Sequence, residues 1–124
     1  MSMIRLGAIS LDCADPAMLG TFWAALLGGE IVMAGDDISV VKVDQLLLTA
    51  MRVDDYVAPT WPGGSVPKQG HIDLAVGDLA DAERRAVALG AVRAEWQPEP
   101  QSHLVFFDPA GHPFCLSVAA NFAW

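Results

Sequence analysis

His71 and Asp73 stand two residues apart in a run that alternates polar with apolar, His71-Ile72-Asp73-Leu74-Ala75-Val76. On a strand that spacing puts both side chains on one face. A carboxylate there biases the imidazole's tautomer or raises its affinity for a proton, which makes His71 and Asp73 the candidate catalytic pair for proton transfer. The other readings of His71 are a metal ligand and a polar wall residue that hydrogen-bonds a ligand or a neighbouring side chain. Cys115 alternates with Phe114 and Leu116 on the last apolar segment. Beside an imidazole it reads as a thiolate nucleophile, with His71 and Asp73 it makes a zinc-type donor set, and otherwise it is a small apolar filler. Ser10 and Asp12 share the polar parity of the first apolar segment. Asp12 and Asp73 would suit a cation or a basic ligand, with Arg52 the candidate cation to balance them. Trp61, between Thr60 and Pro62, offers an aromatic wall for a flat ligand, or else a staple for its loop or for a dimer interface. His103 joins this set if its strand has the matching parity, whereas His112, in Gly-His-Pro, reads as a loop residue.

These residues need a scaffold, and the chain repeats one. Leu11, Cys13, Asp15 and Ala17 recur at constant spacing as Leu74, Val76, Asp78 and Ala80, and Leu27-Gly28 is answered by Leu89-Gly90. Each copy reads as a strand, a helix with an Asp N-cap and a Gly stop, and then three strands. The predicted strands of module one (about 1–53) are 4–12, 30–34, 38–43 and 46–53, with a helix from Pro16 to Leu27. A Pro- and Gly-rich loop links the modules over about 54–70. Module two (about 71–124) has strands at 71–76, 92–97, 103–107 and 113–118 and a helix from Asp78 to Leu89. The expected fold class is α+β, one domain of two βαβββ modules whose mostly antiparallel curved sheet wraps a shared groove. Ile9, Leu11, Cys13, Ile72, Leu74 and Val76 should lie under the helices. Ala8, Ser10, Asp12, His71, Asp73, Cys115 and Ser117 should line the groove. The parity of strands 46–53 and 103–107 stays open.

Composition narrows the partners. With 124 residues, 53% of them hydrophobic, the chain can bury the core of one domain. A formal charge of −8 and the lack of a basic stripe argue against nucleic acid. The acidic field keeps the chain in solution and also favours a cationic ligand. No apolar run has the length of a membrane span, and the N-terminal residues lack a signal-peptide core, so the expectation is a cytoplasmic protein without membrane association. The mean hydropathy of +0.37 points to a homodimer that hides some apolar surface. Two cysteines without a disulfide or zinc-knuckle spacing read as reduced thiols.

The segments LDCADPAMLGTFWAALLGGE at 11–30, HIDLAVGDLADAERRAVALGA at 71–91 and FDPAGHPFCLSV at 107–118 resemble the vicinal oxygen chelate superfamily, the glyoxalase, bleomycin-resistance and extradiol dioxygenase group. RVDDYVAPTWP at 52–62 resembles the middle loop of its small glyoxalase-like proteins of unassigned activity. The resemblance implies a divalent-metal site with ligands from the first and last strand of each module. Those positions fall on Ala8, His71 and Cys115 and, on strand 46–53, on Thr49 and Met51 or on Ala50 and Arg52. Only His71 is a standard ligand for a hard dication. The expected function is therefore binding of a small, moderately apolar or cationic organic molecule, with no cofactor. The alternative is a lyase, isomerase or hydrolase using His71 as general base or as ligand, with Cys115, of a divalent metal. A dioxygenase would need a 2-His-1-carboxylate set that is incomplete here.

Overall fold

Asp15 and Asp78 start the two helices by the same chemistry. The Asp15 carboxylate accepts the Met18 backbone N–H at 3.2 Å, Pro16 occupies the first helical position, and α1 (Pro16–Leu27) ends at Gly28 with φ +66°. The Asp78 carboxylate accepts the Asp81 N–H at 3.0 Å, and α2 (Leu79–Leu89) ends at Gly90 with φ +117°. The structure is a computed structural model that describes residues 3–123. The chain divides into two compact units, Met1–Tyr56 and Val57–Trp124. Each is a βαβββ module, and the fold class is α+β as predicted. Among the described residues no helix is long and apolar enough to cross a membrane.

In unit one the sheet order is β1 (Ala8–Cys13), β4 (Leu46–Arg52), β3 (Ile38–Val43) and β2 (Glu30–Ala34). Only the β1–β4 pairing is parallel. Cross-strand register sorts the faces, because directly opposed residues point the same way. Ile9, Leu48 and Val41 share one face with Leu11, Ala50 and Ser39. That face carries α1: a Cβ on Gly20 would stand 2.8 Å from Ser39 Cβ, so the helix backbone rests directly on the Ser39 side chain. Leu19, Phe22 and Trp23 fill the core there. Ser10 and Asp12 occupy the other face, beside Thr49 and Met51.

The first strand begins at Ala8, not at Ile4. Its partner β4 begins at Leu46, where β3 turns back, so the ladder closes with Leu47 N–H donating to Gly7 C=O at 3.0 Å and leaves Ile4 and Leu6 exposed.

Unit two repeats the order as β5 (Ile72–Val76), β8 (Pro113–Val118), β7 (His103–Phe107) and β6 (Val92–Arg93). Phe106 and Phe114 stack at 5.7 Å, and both are fully buried with Leu104 and Leu116 beside them. α2 packs on β7 and β8 through its one buried residue, Ala86. Strand β6 is two residues long where six were predicted. The side chain of Gln97 replaces the missing ladder: its amide donates to Ala94 C=O at 2.9 Å and Val105 C=O at 2.8 Å and accepts Val105 N–H at 2.9 Å. Ala94 N–H still donates to Val105 C=O at 3.0 Å, and with the remaining groups satisfied by the amide, residues 95–97 leave the sheet. The linking segment expected over 54–70 divides between the units at 56/57.

Candidate functional site

The second unit gathers the groups with chemistry on one sheet face. Asp73 is in register with Cys115, and Cys115 with Val105, so the three side chains project together. His71 sits just ahead of β5, and its Nε2 lies 3.2 Å from Asp73 Oδ1. One donor atom each from His71, Asp73 and Cys115 fits within 4.8 Å. The predicted dyad geometry is present, and both its members reach solvent, with side chains 29% and 42% exposed.

Above this face lies the loop of residues 57–70. Thr60 N–H donates to Val66 C=O at 2.6 Å, and the Thr60 hydroxyl both donates to that carbonyl and accepts Val66 N–H at 3.0 Å. That clasp projects Trp61 over the sheet, where it packs with Phe107 against buried Ala94, Val105 and Cys115. The Trp61 ring stacks on His71 at 5.6 Å and 21°, meets Trp96 edge-on at 5.0 Å and 82°, and carries the Lys68 ammonium 4.7 Å from its centroid.

Cys115 is the floor of this arrangement and not an open wall, being 4% exposed. Burial pushes its thiol up from 9.0 to about 11, the negative charge of Asp73 and a hydrogen bond to that carboxylate add to the rise, and Lys68 opposes it. The thiol is therefore a proton-bearing donor at neutral pH. It lacks the thiolate character that a nucleophile needs.

The other predicted residues distribute differently. His103 is opposite Ser117 and so shares the parity of Cys115, two residues along β7 from Val105. Ser10 and Asp12 belong to unit one, where Ser10 Oγ accepts the Thr49 hydroxyl. Arg52 requires a correction: in register with Cys13, it lies on the opposite face from Ser10 and Asp12 and pairs with Asp37 at 3.5 Å and Asp54 at 3.4 Å. One residue earlier, at Met51, the strand would have given the expected direction. The sequence reading missed Trp96 and Lys68. Lys68 had a signal, since it is the one charge in residues 57–70. Trp96 was hidden by its assignment to a strand.

The glyoxalase-like domain family matches residues 8–117. The chain belongs to that family. It is thereby a member of the vicinal oxygen chelate superfamily, and solved structures share the fold of this glyoxalase-like domain. Fosfomycin resistance protein FosX from Mesorhizobium loti aligns with a TM-score of 0.71 at 15% identity, covering 99% of this chain and 100% of that one. Lactoylglutathione lyase from Agrobacterium tumefaciens gives 0.65 at 16%, covering 97% of each. A mutant FosX from Listeria monocytogenes, complexed with Mn(II) and 1S,2S-dihydroxypropylphosphonic acid, gives 0.69 at 19%, covering 94% and 90%. No curated protein matches the chain.

A hard dication of that kind does not suit the residues present. Ala8 offers only a methyl group, and the register leaves Thr49 and Met51, neither a strong donor, on the corresponding face of β4. In unit two the soft sulfur of Cys115 stands where an oxygen donor would be needed.

Proposed function

We propose that this glyoxalase-like domain binds a small organic molecule against the sheet face of its second unit, without a metal. One observation carries the reading: Trp61, stacked on His71 and abutting Trp96, builds an aromatic wall above a sheet floor closed by Cys115 and Val105. Trp96 is 41% exposed and the dyad is open to solvent, so polar groups and ring faces remain available at the wall's rim. Binding is expected to quench or shift the tryptophan fluorescence and to weaken at least tenfold in Trp61→Ala, with metal below about 0.1 equivalent in protein purified without chelator. Stoichiometric metal that is lost in His71→Ala would overturn the metal-free reading.

The contact of His71 Nε2 with Asp73 favours a second reading, a lyase, isomerase or hydrolase with His71 as general base. Under that reading His71→Ala and Asp73→Asn lower turnover by similar factors. Under simple binding they change affinity alone. The exposed apolar residues Ile31, Val32 and Met33 on edge strand β2 support a homodimer in solution. A monomer mass in analytical ultracentrifugation at micromolar concentration would remove that part.

A further inference from the structure

We propose that the molecule bound at this face presents an organic cation, an alkylammonium or similar group, to the corner between Trp61 and Trp96, and that the Lys68 ammonium is the chain's own occupant of the Trp61 ring, displaced on binding. The inference rests on the binding reading above and specifies its ligand class. Two indole rings meeting at 82° with centroids 5.0 Å apart present two electron-rich surfaces to one point in space. A cation gains from each such surface, more so as it loses water. The ring already demonstrates the preference, because the nearest charged side chain of the loop places its ammonium 4.7 Å from the Trp61 centroid.

The surrounding charges agree. Asp73 supplies a carboxylate beside His71, which stacks on Trp61, and the Cys115 thiol beneath is neutral. An anionic ligand would have Lys68 for it, but Asp73 and a chain charge of −8 against it. A cation is drawn in by the same field. Displacement is structurally inexpensive, since Lys68 lies in a stretch outside any helix or strand and the clasp that holds Trp61 closes at Val66, before it. The ammonium can move to water while its ring stays in place.

The test compares choline with its neutral isostere 3,3-dimethylbutan-1-ol in the full chain, by tryptophan fluorescence and by the His71 ring resonances. Choline is expected to bind roughly 5- to 30-fold more tightly, with that preference lost in Trp61→Ala and reduced in Trp61→Phe, which keeps a stacked ring if the alanine variant fails to fold. Lys68→Met, which removes the competing charge but keeps the apolar stem, is expected to tighten choline binding roughly 3- to 10-fold, whereas Lys68→Arg leaves it near the starting value. Equal binding of the two isosteres overturns the cation assignment and leaves small-molecule binding intact. No gain in Lys68→Met overturns the displacement. If neither isostere binds while indole, a neutral flat probe, still moves the His71 resonances, the cation assignment alone fails. If indole also leaves them unmoved, the parent reading fails with it.

Discussion

Alkylation of Cys115 at pH 8 is expected to run about 100-fold slower than that of an unperturbed thiol, because a thiol held near 11 instead of 9.0 has that much less thiolate. Burial is the main cause and Asp73 the second, so Asp73→Asn should speed the reaction and move its pH dependence down. Peptide-level mass spectrometry separates Cys115 from Cys13, which is also buried. A rate that climbs through pH 9 and levels off there would sink the account, whereas slow access alone would leave Asp73→Asn without effect. The same group makes stability depend on pH. Below pH 9 the folded and unfolded chains both keep the proton, and the contribution is fully present. Between pH 9 and about 11 the unfolded thiol ionises and the folded one does not, so stability falls as pH rises through that window.

Trp23→Ala is expected to remove about 3–5 kcal/mol from the stability of the first unit, the usual cost of emptying so large a buried site. Trp23 is 1% exposed and meets Phe22 edge-to-face at 5.3 Å, so truncation takes away both buried area and an oriented ring contact. Backbone relaxation can close little of the gap, because α1 already touches β3 at Gly20. Met18→Ala on the same helix, where the residue is 54% exposed, should stay within about 0.5 kcal/mol and serves as the control. A urea midpoint for Trp23→Ala close to that of Met18→Ala would show that the ring is not part of the core.

The helices were legible because their ends are written in single residues: an aspartate at each N-cap and a glycine that accepts positive φ at each stop. The parities of β1 and β5 were legible because polar and apolar residues alternate there. β4 offered no such contrast, since Leu46-Leu47-Leu48-Thr49-Ala50-Met51 is apolar on both faces. Only its register with β1 shows that Thr49 and Met51 face with Ser10 and Asp12 while Arg52 turns away. The start of β6 at Val92 was legible but its early end was not, because a side-chain amide that imitates a strand leaves no period in the sequence. The candidate site was half visible. Residue type and strand parity single out His71, Asp73 and Cys115, and residue type Trp61, and these do come together, whereas Lys68 and Trp96 join through a loop path that periodicity does not encode.

The Thr60–Val66 clasp gives residues 61–65 the character of a cassette. Its bonds lie between residues 60 and 66, so the five intervening residues can be exchanged without unpicking a strand as long as glycine stays at 64, where a Cβ would meet the Thr60 side chain. Variation in the surface that this loop lays over the sheet can thus accumulate in a handful of codons, while the sheet beneath is inherited unchanged.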